Sequence, residues 1–240
     1  MNALVAPAKL TLRLAIVGVR ADGLHLIDAE MSELELCDEL VVTPDGDGIT
    51  VDGPYADGVP TGPENLVARA LALCSRRAAV HITKRIPHGG GLGGGSADAA
   101  AVLRWAGFSD LSAAATIGAD VPFSLVGGRA SVGGVGEIVV PIAPRREPIT
   151  LVCPPLHVDT GAVYRTFDRL GDPGDARNHL EGAAIAVEPS LATWRERIER
   201  GCGTRPTLAG SGASWWLEGH HPALTDALPE AHVVFTHTVG

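Results

Sequence analysis

The chain has 240 residues, enough for one large domain or two small ones with real cores. Hydrophobic residues make up 45% and charged residues 20%, which excludes a disordered chain. The formal net charge of −9 argues against nucleic acid or anionic lipid as a partner, but a polyphosphate needs only a local set of N–H donors and one or two cations.

Cys37, Cys74, Cys153 and Cys202 form no CxxC pair and are too sparse for a disulfide framework. Reduced, mostly buried thiols in a cytoplasmic protein are expected. Lys9 and Arg13 interrupt the first apolar stretch and no charged segment precedes it, which disfavours a signal peptide. No run of about 18 apolar residues occurs, so no membrane span is predicted.

Along the chain, residues 3–19 read as a strand. Leu10, Leu12, Leu14 and Ile16 alternate with Thr11, Arg13 and Ala15, the pattern of a sheet with one covered face. Asp22-Gly23 marks a turn. Strands are predicted at 31–43 and 49–51, a helix at 64–76 and a strand at 78–83. A glycine-rich stretch follows, and a helix from Ser96 to about Trp105, with Ser96 as its N-cap and Asp98 in its first turn. A second short helix is predicted at 109–118 and strand structure within 132–142. The polar, proline-bearing segment 143–148 is the best domain boundary, giving domains at 1–145 and 146–240. After it come a strand at 149–153, helices near 160–170 and 191–200, a loop at Gly210-Ser211-Gly212 between strand-like flanks, and a final strand at 233–236.

Six of the seven residues from Gly89 to Gly95 are glycine. Such a cluster costs regular structure roughly 1 kcal/mol per helical position, so the backbone must need it. Without Cβ atoms, successive N–H groups converge on one anion, and the helix that follows adds unpaired N–H groups and its dipole. This is a phosphate cradle. A Walker loop is excluded, because Gly95 precedes Ser96 with no lysine between them. A dinucleotide fingerprint is formally met by Gly89, Gly91 and Gly94. The preceding strand alternates rather than running continuously apolar, however, and Lys84, Arg85, Ile86 and Pro87 stand between it and the glycines.

The segment IPHGGGLGGGSADAAAVL resembles the phosphate-loop motif of the GHMP kinase superfamily. Its double glycine triplet around Leu92 is similar to that of the 4-diphosphocytidyl-2-C-methyl-D-erythritol kinase family within it. Four further segments resemble that family in the same order: APAKLTLRL with RADGLHLIDAEM, ENLVARA, GADVPFSLVGG and LAGSGAS; NHLEGAA is a looser match. The resemblance implies an α/β (α+β) two-domain kinase, with an N-terminal mixed β/α domain and a C-terminal ferredoxin-like α/β sandwich. It implies a site in the cleft between them. It further implies ATP with Mg²⁺ and transfer of the γ-phosphoryl group to the 2-hydroxyl of a small molecule, the cytidine diphosphate-linked methylerythritol.

By the same resemblance, Lys9 and Asp120 are the catalytic pair. A carboxylate beside a hydroxyl can take its proton, and a lysine beside the carboxylate keeps it ionised. Pro87, Gly89, Gly90, Gly91, Leu92, Gly93, Gly94, Gly95 and Ser96 are assigned to ATP, with Asn65 and Lys84 in the adenine pocket. On the acceptor side, Thr11 stands where the family often has asparagine. His25 matches a histidine that hydrogen-bonds cytosine. Leu24 stands where a tyrosine usually stacks on that base, and Tyr164 aligns with an aromatic covering its other face. Gly210, Ser211 and Gly212 match a glycine loop near the substrate diphosphate. The segment 107–117 is shorter than in the family. No acidic cluster announces a protein metal site, and Ser96 is the one side chain considered as a ligand. A monomer or weak homodimer is expected. Two other readings are a GHMP kinase with another alcohol acceptor, such as mevalonate or homoserine, and a non-catalytic nucleotide-binding homologue. A base-sized slot between His25 and Tyr164 separates the first reading from the second.

Overall fold

The computed structural model describes residues 1–171, 173–174 and 176–239. Two strands dominate its first half, β1 (Asn2–Val19) and β2 (His25–Pro44), paired antiparallel around the turn at Arg20–Gly23. β2 begins well before the predicted strand at 31–43. β3 (Ile49–Asp52) runs parallel to β4 (Ala78–Thr83), which pairs with the end of β2. The hairpin β5 (Arg129–Gly134) and β6 (Ile138–Pro141) pairs with the start of β2 and completes a six-stranded sheet.

The alternation of β1 does not mark a strand with one face in solvent, because its centre, residues 8–12, is buried on both sides. Ala8, Leu10 and Leu12 join one apolar cluster, whereas Leu14 joins another. The pairing shifts register between Pro7 and Lys9 and again between Thr11 and Arg13. Such bulges add a residue and twist the strand, so side chains after the bulge turn to a different face.

Helices α1 (Leu66–Leu73), α2 (Gly94–Trp105), α3 (Leu111–Ala115) and α4 (Val121–Val126) pack as a second layer. Ala97, Ala99, Ala100 and Ala101 are all buried, and their small side chains let α2 approach its neighbours closely. Two expectations from the sequence are corrected here. α2 starts at Gly94 with Gly93 as its N-cap, so Ser96 is not the cap; and Asp98 lies beyond the first turn, five residues into the helix. The reason is glycine: Gly93 takes φ +68°, so the backbone itself turns into the helix before any hydroxyl is reached.

After residues 142–147 comes a four-stranded sheet in the order β10-β7-β9-β8, formed by β7 (Pro148–Cys153), β8 (Thr207–Leu208), β9 (Trp215–Glu218) and β10 (His232–His237). Its helices are α5 (Thr160–Leu170), α6 (Glu181–Val187), α7 (Ser190–Cys202) and α8 (Ala223–Ala227). Adjacent Trp215 and Trp216 point to opposite faces of β9, as period two demands, and each fills a different core cluster. Two of the three apolar clusters draw on both halves of the chain. In one, Leu10, Leu12 and Leu34 meet Ile149, Leu151 and Trp216; in the other, Leu14 and Phe123 meet Val152, Val163 and Trp215. Backbone bonds from Leu14 N–H to Arg177 O and from His179 N–H to Leu14 O add to the seam. All four cysteines are free, and of these only Cys153 is fully buried, fewer than the sequence suggested.

Candidate active site

β4 ends at Thr83, and the chain then enters the glycine loop through Lys84, Arg85 and Ile86. Leu92, the one non-glycine in the loop, is buried with Ile86 in the core cluster that joins the two halves. It anchors the middle of the loop while the glycines stay on the cavity side. The carbonyl of Leu92 also accepts from Lys9 N–H at 2.9 Å, which fastens the loop to β1. Glycine is sterically required at two points. At Gly91, φ is +75° and a Cβ would lie 2.2 Å from the Ala209 carbonyl oxygen; at Gly93, φ is +68° and a Cβ would lie 2.7 Å from Lys9 Cγ.

The loop lines a cavity of about 450 Å³, together with Asn65, Leu66, Lys84, Pro87, Ser96, Asp98 and Thr160. No side chain caps the N-terminus of α2, so its first N–H groups remain free for an anion. Asn65 serves the structure in two ways. Its Oδ1 accepts from Val67 N–H at 2.8 Å and caps α1, while its Nδ2 donates to Pro60 O at 2.6 Å.

Lys84 is a buried strut with 2% of its surface exposed. Its ammonium donates to Asp38 Oδ2 and, at 2.7 Å, to Asp98 Oδ2. Asp38, fully buried on β2, also accepts at Oδ1 from the backbone N–H groups of Arg85, at 2.5 Å, and Ile86, at 2.8 Å. The entry of the loop and, through Lys84, the helix at its exit are therefore tied to one carboxylate. Burial pushes the Asp98 carboxyl up to about 7 against the pull of the Lys84 ammonium, and Asp98 Oδ1 has no hydrogen-bond partner. Sequence reasoning missed Asp38; an acidic residue in the middle of a strand pattern was the one available signal.

A second cavity, of about 220 Å³, lies across the loop and is lined by Lys9, Thr11, His25, Asp120, Tyr164, Gly210 and Ser211. Gly91, Gly93 and Thr160 line both cavities. Lys9 is buried on β1; its Nζ lies 3.3 Å from Asp120 Oδ2 and donates to Thr11 Oγ1 at 3.2 Å. Asp120 occupies the N-cap position of α4 without capping it, which leaves its carboxylate to Lys9 and the cavity. Asn178 holds the second glycine loop, donating to Leu208 O at 2.9 Å and Gly210 O at 2.7 Å, and Ser211 Oγ is 2.9 Å from Thr160 Oγ1. Gly212 lies beside Leu208 and Val158, behind that loop.

The expected base slot is absent. The His25 and Tyr164 rings are in direct contact, with centroids 4.8 Å apart and planes at 39°. A base between them needs about 7 Å, twice an ordinary carbon–carbon contact. Leu24 is about half exposed at the hairpin turn and is not part of the cavity wall. Burial, with the Asp120 charge nearby, pushes the Tyr164 hydroxyl up to about 12. His25 Nε2 instead lies 2.6 Å from Asp168 Oδ1 on α5, a partner that sequence reasoning missed.

Comparison with known proteins places this geometry in a family. The profile of the GHMP kinases N-terminal domain matches residues 65–128, from the α1 cap through the glycine loop to α4. The 4-diphosphocytidyl-2-C-methyl-D-erythritol kinase of Dinoroseobacter shibae is 43% identical over 203 residues, covering 81% of this chain and 70% of the relative. The chain belongs to the 4-diphosphocytidyl-2-C-methyl-D-erythritol kinase family. The Paracoccus denitrificans member of that family is 35% identical over 229 residues, covering 87% of this chain and 84% of its own. A crystal structure of 4-(cytidine 5'-diphospho)-2C-methyl-D-erythritol kinase superposes with a TM-score of 0.79 at 33% identity, covering both chains completely. As in other members of the family, the fold is the two-domain GHMP kinase fold, and the chain is an ATP-dependent kinase acting on a small molecule.

Proposed function

We propose that this chain transfers the γ-phosphoryl group of ATP to the 2-hydroxyl of 4-diphosphocytidyl-2-C-methyl-D-erythritol. The observation that carries the reading is the Lys9–Asp120 pair on the wall of a small cavity that shares Gly91, Gly93 and Thr160 with the glycine-loop cavity. In that arrangement ATP lies along Gly89–Ser96 with its terminal phosphate at the shared wall. The acceptor hydroxyl stands beside Asp120. As its oxygen bonds to the γ-phosphorus, its proton passes to the Asp120 carboxylate, the bond from γ-phosphorus to the bridging oxygen breaks, and ADP leaves. Lys9 pairs with Asp120 and offsets charge on the equatorial oxygens. The remainder is positioning, as expected for phosphoryl transfer.

Gly210 and Ser211 supply backbone and hydroxyl donors to the acceptor's diphosphate. Asn65 and Lys84 act on the adenine side by shaping the pocket, since their polar atoms are already engaged. Mg²⁺ neutralises phosphate charge when bound. The ion is carried mainly by phosphates and water, with the Ser96 hydroxyl, which lines the glycine-loop cavity, available beside it. We place the domain boundary at 145/146, within the segment that joins β6 to β7. The four free thiols suit a cytoplasmic protein, which we read as a monomer or weak homodimer.

One observation favours a different acceptor: the contact between His25 and Tyr164 leaves no slot for a base. Phosphorylation assays with ATP and the cytidyl substrate, mevalonate or homoserine decide between them. Turnover of the cytidyl substrate, lost by a factor of about 10² to 10⁴ in Asp120→Asn with ATP binding retained, is the expected result. Turnover confined to mevalonate or homoserine overturns the acceptor assignment.

A further inference from the structure

His25 stands at the start of β2, delivered to the acceptor cavity by the turn before it. Its ring packs against Tyr164 and, edge-on, Phe167, and its side chain is 11% exposed. Asp168 lies on α5 one turn beyond Tyr164, so both reach the same ring from one helix face. Its Oδ1 is 2.6 Å from His25 Nε2. No hydrogen bond to His25 Nδ1 occurs among the described residues.

An ionised carboxylate offers only acceptors, so the proton of this bond sits on His25 Nε2, which donates to Asp168. In the neutral ring Nδ1 is then left as a fixed acceptor. The two pyrimidines differ at the matching point: cytosine presents an amine donor at N4, whereas an oxo-pyrimidine presents an acceptor at O4. A histidine free to switch tautomer could serve either base. One held by Asp168 serves only the donor.

We propose that Asp168 is a positioning residue that fixes the His25 tautomer and so selects an amino-pyrimidine over an oxo-pyrimidine in the acceptor nucleotide. This rests on the reading of the acceptor as a cytidyl compound. A buried polar pair that mismatches donor to acceptor loses affinity by roughly tenfold to a hundredfold, so the preference should be of that size.

The test uses the full chain at pH 8, with the cytidyl substrate and its uridyl analogue. Wild type is expected to favour the cytidyl compound. Asp168→Ala is expected to lower the cytidyl-to-uridyl ratio of kcat/KM by about tenfold or more, with the KM for ATP unchanged. Asp168 is half exposed, so its removal leaves the core intact. Nitrogen-15 NMR of labelled histidines, with His25 assigned through His25→Gln, is expected to show Nε2 alone protonated in wild type and a tautomer mixture in Asp168→Ala. An equal fall in kcat/KM for both nucleotides is what a merely structural role gives, and it overturns the proposal. So does an unchanged tautomer in the variant, a doubly protonated ring in wild type at pH 8, or a wild type that uses both nucleotides equally well. A wild type inactive on the cytidyl compound but active on mevalonate fails at an earlier point: the acceptor reading falls, and this inference with it.

Discussion

At the scale of single residues, the site depends on charges held out of water. Lys9 and Asp120 meet at 3.3 Å because β1 and the start of α4 converge behind the glycine loop, not because the two are near in sequence. Asp98 makes a sharper test. Its carboxyl is near its ordinary 3.8 in the unfolded chain and at about 7 in the fold, so between these values the folded state holds a proton that the unfolded state has lost. Its contribution to stability is therefore largest below about pH 4, declines as pH rises to about 7, and is level above that. Asp98→Asn removes this slope. The difference in unfolding free energy between variant and wild type, measured by denaturant titration from pH 4 to 8, should move in the variant's favour up to about pH 7 and then stop changing. A difference independent of pH would show that burial does not hold the proton on Asp98. Lys9, Asp120 and the glycines were legible at this scale because a motif carried them. Asp38 and Asp168 were not, since Asp38 acts through partners 46 to 48 residues away and Asp168 through one 143 residues away; Asn178 lies in the NHLEGAA match, but its ties to Leu208 and Gly210, 30 and 32 residues on, were not visible there.

At the scale of elements, the phosphate loop is held by what lies beneath it. Gly91→Ala sets a Cβ against the Ala209 carbonyl at 2.2 Å in a left-handed backbone, so the loop must shift away from the second glycine loop. The KM for ATP should rise about tenfold or more while the far-ultraviolet circular dichroism stays native; an unchanged KM would mean that the loop's position is not critical. Asn65→Ala removes the cap of α1 and should cost about 1 kcal/mol, read as a lower unfolding midpoint in urea with the slope preserved. Strongly periodic elements such as β4 and α5 were readable in the sequence, with bounds matching at both ends. The short helices α4, α6 and α8 were not, because five to seven residues give too little periodicity and tertiary packing decides their form. The N-terminus of α2 was misplaced for a physical reason: hydroxyl capping is the commoner signal, and here a left-handed glycine replaces it.

At the scale of the whole molecule, the two sheets share their apolar interior. Clusters joining Leu10 to Trp216 and Leu14 to Trp215 leave neither half a complete core. Residues 1–145 expressed alone should not fold, and the full chain should lose tertiary and secondary signals in one coincident thermal transition. Two separated transitions would show that the halves are energetically independent. The sharing of the interior across the proline-bearing segment 143–148 was not legible, because alternation in β1 does not reveal that both of its faces are covered. The fusion has a further consequence. Leu92 and Ile86 root the glycine loop in that common interior, whereas His25 at the start of β2 and Tyr164 on α5, which line the smaller cavity, lie at its edge. A lineage could exchange one alcohol for another by altering the rim alone, leaving the phosphate-handling apparatus untouched.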